Sequence, residues 1–294
     1  MNTTDMKIPS NKVRDIERYI CRELGGLYPD GEVRMMTRIL FEGFLGWDQV
    51  RLLTSKEETV NQSDLLRFHW AVEELKRYRP IQQIIGWTEF CGCRIAVDES
   101  TLIPRPETEE IVQRTISILS EKRPKRVLDI CTGSGCIAIA LAKQWAEAEV
   151  TAIDISEKAL EKARENGTAN GVEIDWRRMD VLSGRGMELP HPFDLIISNP
   201  PYVTESERKN MQKNVLDWEP DMALFVPDEE PLRFYKAIAR EARQNLATGG
   251  MVVVEINERF GQETAQIFKE EGFETEIQND FKGKERMIIA KKGE

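Results

Sequence analysis

The chain has 294 residues, 40% of them hydrophobic and 31% charged, and a formal net charge of −10. That balance describes an ordinary soluble globular protein long enough for two domains. The acidic total argues against a broad nucleic-acid footprint, which normally shows as a basic domain.

The opening residues, MNTTDMKIPSNKVRDIERYI, scatter charges where the apolar core of a secretory signal would lie, so no leader is expected. No stretch reaches the roughly 18 apolar residues of a membrane helix. Five cysteines are an odd number in a chain of this size, which speaks against a disulfide framework. Cys91-Gly92-Cys93 lacks the two-residue gap of zinc or redox pairs and reads as two strand residues. A cytoplasmic location follows as the default.

Residues 10 to about 80 read as helices. Ser10 is a candidate cap for NKVRDIERYICREL, Pro29-Asp30-Gly31 a turn, and EVRMMTRILFEGFL an amphipathic helix. Ser63 can cap DLLRFHWAVEELKRYR, which Pro80 ends. Of the two histidines, His69 sits in this helical pattern as a packed or surface residue, and His191 lies in a loop between two prolines. Histidine-based acid–base or metal chemistry has little to work with here, and no metal site is expected.

Residues 84–103, IIGWTEFCGCRIAVDESTLI, turn rich in Ile, Val, Phe, Trp and Thr and read as a hairpin. The expected organisation is a helical substrate-recognition domain over 1–80, a hairpin linker over 81–105 and a larger domain over 106–294. In that domain PRPETEEIVQRTISIL starts a helix. From Arg126 onward strands alternate with helices: RVLDIC, CIAIALAKQW, EVTAIDI, SEKALEKARENGTANG from Ser156 to Gly171, IDWRRMDVL and FDLIIS. Then come a helix through PLRFYKAIAREARQNLATGG, the central strand MVVVEIN, a helix GQETAQIFKEEGF and two closing strands. This rhythm is the α/β class: a parallel sheet with helices on both faces, and an antiparallel edge where the last two strands follow one another.

The first strand–helix junction, DICTGSGCIA, carries a glycine loop. Gly133 and Gly135 permit a tight turn and a close backbone approach, and Ala138 completes a G-x-G-x-x-A spacing. Asp154 ends the second strand, where its carboxylate can accept hydrogen bonds from ribose hydroxyls. NAD and S-adenosylmethionine both offer adenosine to such a site. A pyrophosphate prefers a helix N-terminus free of carboxylates, whereas a sulfonium tolerates acids. Asp129 before the loop and Asp180, ending the third strand near the adenine's expected place, therefore favour the sulfonium cofactor.

The strand FDLIIS runs into Asn199-Pro200-Pro201-Tyr202. The prolines stop the strand and hold a stiff corner at the carboxyl edge of the sheet, where open α/β folds bind ligands. The Asn199 side-chain oxygen and the Pro200 carbonyl can each accept an N–H from an amide nitrogen and orient it toward a methyl carbon. The Tyr202 ring can pack on the planar amide or the sulfonium methyl.

NPPY at 199–202, LIPRPETE at 102–109, LDICTGSG at 128–135 and EPDMAL at 219–224 together resemble the release-factor glutamine N5-methyltransferases. The resemblance runs from about residue 80 to the closing GKERMIIAKK, and the helical N-terminal region fits it. It implies a Rossmann-like class I methyltransferase domain with a mostly parallel seven-stranded sheet. It implies direct methyl transfer from S-adenosylmethionine to the glutamine of the Gly-Gly-Gln loop of class I peptide release factors, leaving S-adenosylhomocysteine. Cofactor contacts are implied at Cys131, Thr132, Gly133, Ser134, Gly135, Asp154, Asp180, Val181 and Asn199, and glutamine binding at Asn199, Pro200, Pro201 and Tyr202. Three of these, Asn199, Pro200 and Tyr202, are the implied catalytic set. Cys131 departs from a glycine common in the family, and Val181 from an aromatic of some relatives. Arg105 and Glu107 are read either as shaping the wall near the acceptor or as holding a linker by salt bridges. The NPPY corner is shared with N6-adenine methyltransferases, the first rival; that reading needs a phosphate-binding surface and predicts steep salt dependence. A non-catalytic adenosine-binding protein on the same fold is the second. Neither a membrane nor a stably bound nucleic acid is expected as a partner.

Overall fold

Ile16, Ile20 and Leu24 recur at four-residue spacing and are fully buried, which is how one face of a helix becomes core. They lie on α1 (Val13–Leu24), followed by α2 (Asp30–Leu45), α3 (Gln49–Thr54), α4 (Gln62–Leu75) and α5 (Ile81–Ile85). The computed structural model describes residues 8–183, 189 and 192–293. It divides into a helical unit, residues 1–86 with 212–218, and a second unit, residues 87–211 with 219–294.

Phe41 and Phe68 centre the helical unit, their rings 4.6 Å apart, with Phe44 edge-on to Phe68. Two expected caps move. α4 begins earlier than Ser63, because Asn61 accepts the Asp64 N–H at 2.8 Å; an equally good cap met first sets the boundary. Ser10 does not cap α1 either: Lys12 holds that position, its segment pinned by a bridge to Thr59, and the Ser10 hydroxyl donates to Asp15. Pro29-Asp30-Gly31 opens α2 directly, with Pro29 at its N-cap. The His69 Nδ1 lies 2.8 Å from the Tyr19 hydroxyl, a packing role. His191 lies outside the described residues.

The second unit opens with a hairpin, β1 (Trp87–Phe90) and β2 (Cys93–Ala96). Phe90 pairs with Cys93, so Cys91 and Gly92 are the two turn residues, both at positive φ. Cys91 is therefore not a strand residue: a two-residue turn matching strand twist needs left-handed backbone at both positions. Nor does the hairpin stand apart as the linker expected over 81–105. Residues 81–85 are helix α5, while Cys93 and Ile95 bury themselves with Val127 and Ile137. The Asn166 side chain also bonds both polar groups of Ala96.

Next come α6 (Pro106–Ile118), β3 (Arg126–Ile130), α7 (Cys136–Gln144), β4 (Glu149–Asp154), α8 (Glu157–Asn170), β5 (Asp175–Arg178), β6 (Phe193–Ser198) and β7 (Val203–Thr204). The short helix α9 (Lys213–Leu216) counts with the first unit. Then follow β8 (Phe225–Val226), α10 (Arg233–Asn245), β9 (Leu246–Glu255), α11 (Gly261–Glu270), β10 (Phe273–Asn279) and β11 (Glu285–Lys292). α8 is capped by the Ser156 hydroxyl and ends at left-handed Gly171.

The main sheet has seven strands in the order β10-β11-β9-β6-β3-β4-β5. β11 runs antiparallel to both its neighbours, β10 and β9, and the other neighbouring pairs are parallel, as the alternating rhythm requires. Period-two alternation sorts the side chains to two cores. Val127, Leu195 and Val253 face one side, while Leu128, Ile196 and Val252 face the other. One boundary differs from expectation. The helix through residues 231–250 ends at Asn245, because Leu246 pairs with Phe193 and the glycines enter a bulge of β9.

The chain leaves β3 toward β4 and β5, then returns to lay β6 against the other edge of β3. Ligands bind where strand order reverses in this way, outside the carboxyl ends of the strands. Ile130 pairs with Ser198 across that boundary, so the glycine loop and the Asn199 corner leave the sheet side by side.

Candidate active site

The Ser198 hydroxyl donates to the Ile130 carbonyl at 2.6 Å, tying the two strand ends beneath a cleft at the carboxyl edge of the sheet. Cys131, Thr132, Gly133, Ser134, Asp154, Asp180, Val181, Asn199 and Pro201 line it. Gly135, Pro200 and Tyr202 are not among the lining residues.

The glycine loop is built from left-handed backbone at Cys131 (φ 61°), Gly133 (φ 55°) and Gly135 (φ 81°). Gly135 also has no room for a side chain: a Cβ there would lie 2.9 Å from the Trp176 ring and 3.1 Å from Ala163. At Cys131 a glycine would carry no strain, whereas an L-residue in this region costs on the order of 1–2 kcal/mol. Contact of Cys131 with the apolar cluster around Leu128 and Ile130 offsets part of that cost. Burial holds its thiol neutral, well above the ordinary range.

Asp154 organises the loop. Its two oxygens accept the Gly133 and Ser156 N–H groups, each at 2.9 Å, and a carboxylate has lone pairs left over for ribose hydroxyls. Burial nonetheless raises its pKa. Asp129 lies deeper and is fully buried. It takes the Thr132 hydroxyl at 2.6 Å on Oδ2 and leaves Oδ1 without a partner. Burial pushes its carboxyl up to about 7. Asp180 follows β5 rather than ending it, and its Oδ1 accepts the Leu182 N–H at 2.8 Å. That bond caps the turn carrying Val181, which is buried and presents an aliphatic surface, not a ring, to the cleft.

The opposite wall is the segment before α6. Glu219, its side chain fully buried, accepts the Ile103 N–H at 3.0 Å and the Arg105 guanidinium at 2.6 Å. Glu107 pairs instead with Lys282 at 2.7 Å. Arg105 thus shapes the wall, and Glu107 ties α6 to the loop before β11. Glu219→Ala strips Ile103 and Arg105 of their acceptor and is expected to destabilise the chain by about 2 kcal/mol. Urea denaturation of that variant checks it; an unchanged midpoint would mean the wall stands without the clasp.

Several cleft residues carried no sequence signal as site residues. Thr101, Pro104, Thr108, Met222 and Phe234 line it, brought in from loops and helix ends far apart in the chain. Thr108 lay within PRPETE, and Glu255 was legible only as the one acid ending the apolar run MVVV. The Asn199 Nδ2 donates to the Thr108 hydroxyl at 3.0 Å, which donates to Glu255 at 2.6 Å. The Tyr202 hydroxyl donates to the other Glu255 oxygen at 2.9 Å. Tyr202 therefore stands behind Asn199, its phenol held neutral by burial and by the adjacent carboxylate.

Two family descriptions match the chain: Methyltransferase small domain over residues 113–218 and PrmC N-terminal domain over residues 18–86. A release factor glutamine methyltransferase of Bacteroides thetaiotaomicron is 41% identical over 94% of this chain and 98% of its own length. The chain belongs to the release factor glutamine methyltransferase family. A second member, from Flavobacterium psychrophilum, is 39% identical over 94% of this chain and 98% of its own length. The solved structure of a methyltransferase from Pyrococcus furiosus is 19% identical with a TM-score of 0.52, covering 80% of this chain and 100% of that one; it speaks for the fold alone. Membership places the seven-stranded sheet and the N-terminal helices in one known architecture. Among the described residues no helix is long and apolar enough to cross a membrane.

Proposed function

We propose that this chain transfers a methyl group from S-adenosylmethionine to the side-chain nitrogen of the glutamine in the Gly-Gly-Gln loop of class I peptide release factors, in the cytoplasm where translation terminates. The observation that carries the reading is the placement of Asn199 on the same cleft as residues 131–134, in a chain 41% identical to a release factor glutamine methyltransferase.

The residues present fit the cofactor. Among the described lining residues the charged ones are Arg105, Asp154 and Asp180, and Arg105 is already paired with Glu219. A pyrophosphate would meet two carboxylates and no free cation, whereas a sulfonium and an ammonium meet compatible charge. Thr101 adds a buried hydroxyl oxygen without a protein partner on the cleft wall. Residues 131–135 would hold the cofactor backbone, Asp154 its ribose, and Asp180 with Val181 its adenine. When bound, S-adenosylmethionine supplies an electrophilic methyl on a good leaving group.

An amide nitrogen is a poor nucleophile because its lone pair is delocalised, so the chain's contribution is orientation. Asn199 Oδ1 and the Pro200 carbonyl accept the two N–H groups of the glutamine amide and aim the nitrogen in line with the methyl. Tyr202 braces the corner through Glu255. The nitrogen loses its proton to solvent or a backbone carbonyl after transfer.

The deciding assay incubates the chain with methyl-labelled S-adenosylmethionine and three acceptors: an intact release factor, its Gln→Ala loop variant and duplex DNA. Label on the intact factor alone is the expected result. Label on DNA alone would assign the same chemistry to adenine and overturn the glutamine reading.

A further inference from the structure

Asn199 can present either its oxygen or its NH2 to a ligand, and the two ends differ only in what they bond. The hydrogen-bond chain behind it removes that freedom. The Glu255 carboxyl, 2% exposed at the end of β9, has its pKa raised by burial, while the Thr108 and Tyr202 hydroxyls bonded to it favour the charged form. As a carboxylate it offers acceptors only. Its Oε1 takes the Tyr202 hydroxyl and its Oε2 the Thr108 hydroxyl. A threonine hydroxyl has one proton, and Thr108 has given it to Glu255. Toward Asn199 its oxygen can therefore only accept, at 3.0 Å. Nδ2 must face Thr108, and Oδ1 is turned away from it.

We propose that Thr108, backed by the Glu255 carboxylate, is a positioning residue that locks the Asn199 carboxamide with Oδ1 as the atom offered to the acceptor amide. The geometry supports a rigid lock. Thr108 is 3% exposed, in the first turn of α6, and comes from a different element than either partner. β6, α6 and β9 thus converge on one carboxamide. Glu255 is held in turn from the Tyr202 side, because the Asn257 side chain donates to the Tyr202 carbonyl. An amide acceptor needs a hydrogen-bond acceptor facing its N–H. A reversed Asn199 would face it with donors and would suit a carboxylate instead. The lock therefore selects glutamine over glutamate.

This inference rests on the glutamine-methylation reading, and its test separates the two. Initial rates are measured with the native chain, Thr108→Val and Thr108→Ser, using labelled S-adenosylmethionine and an unmodified release factor. Calorimetry gives cofactor affinity for each. Thr108→Val keeps the shape, loses the hydroxyl, and is expected to lower kcat on the order of 30-fold with cofactor Kd unchanged. Thr108→Ser restores the hydroxyl and is expected to stay near the native rate. As a competitor, the release factor carrying Gln→Glu in its loop is expected to inhibit Thr108→Val more strongly than the native chain. Native kcat in Thr108→Val would overturn the inference while leaving the reading intact. Equal loss in Thr108→Val and Thr108→Ser would overturn it in favour of packing. No transfer by the native chain would overturn the reading beneath it.

Discussion

Asn199→Ala is expected to lower kcat for release-factor methylation by about 10³-fold, the scale for removing one preorganised polar group at a reacting centre. The loss falls on kcat because the missing contact orients the nitrogen for attack, whereas most of the binding surface remains. The Asn199 corner is one wall of a cleft that the glycine loop, Asp154 and Val181 also line. Cofactor binding, followed by calorimetry, should therefore weaken only slightly. Single-turnover rates with saturating cofactor make the measurement. A variant within tenfold of native would show that the corner shapes the cleft without orienting the acceptor.

Asp129→Asn is expected to change how stability depends on pH. The carboxyl sits in the folded state at about 7, against roughly 3.9 in an unfolded chain. A carboxyl with a raised folded pKa binds its proton more tightly in the native state, so its contribution to stability falls as pH rises from about 4 to 7 and is constant above that. Asparagine keeps an oxygen for the Thr132 hydroxyl, which bonds Asp129 at 2.6 Å, and does not titrate. The stability gap between variant and native chain should move by about 2–3 kcal/mol in favour of asparagine between pH 5 and pH 8. Comparing the two proteins cancels every other titrating group. Denaturant titrations at the two pH values give the gap; a gap that stays constant would mean Asp129 is ionised throughout.

The sheet and the glycine loop were legible because each rests on local rules. Alternating apolar runs and helix caps such as Ser156 announce a parallel α/β sheet, and Gly133 and Gly135 announce a left-handed loop. Asn199 stood out because two prolines ended a buried strand. Thr108 and Glu255 were not legible as partners of Asn199, since β6, α6 and β9 meet only after the strand order is known. The caps at Ser10 and Ser63 failed for another reason: Asn61, two positions before Ser63, accepts the Asp64 N–H first, and the opening N–H groups of α1 are taken by the Glu58 and Lys56 carbonyls, far away in the sequence. Cys91 was misread because strand propensity gives way to the turn geometry that pairing Phe90 with Cys93 imposes.

Strand order also bears on synthesis. β6 pairs with β3 on one edge, and its other edge is covered by β9, which leaves the ribosome only after the intervening residues 199–245. Until then the growing chain carries an apolar strand, Phe193–Ser198, with one row of backbone donors and acceptors unpaired. Such an edge is a template for mispairing with other chains. The interval before β9 docks should be the time when this protein is most prone to aggregate and most dependent on chaperones. Slowing elongation over residues 199–245 should lower soluble yield without altering the protein that has already folded.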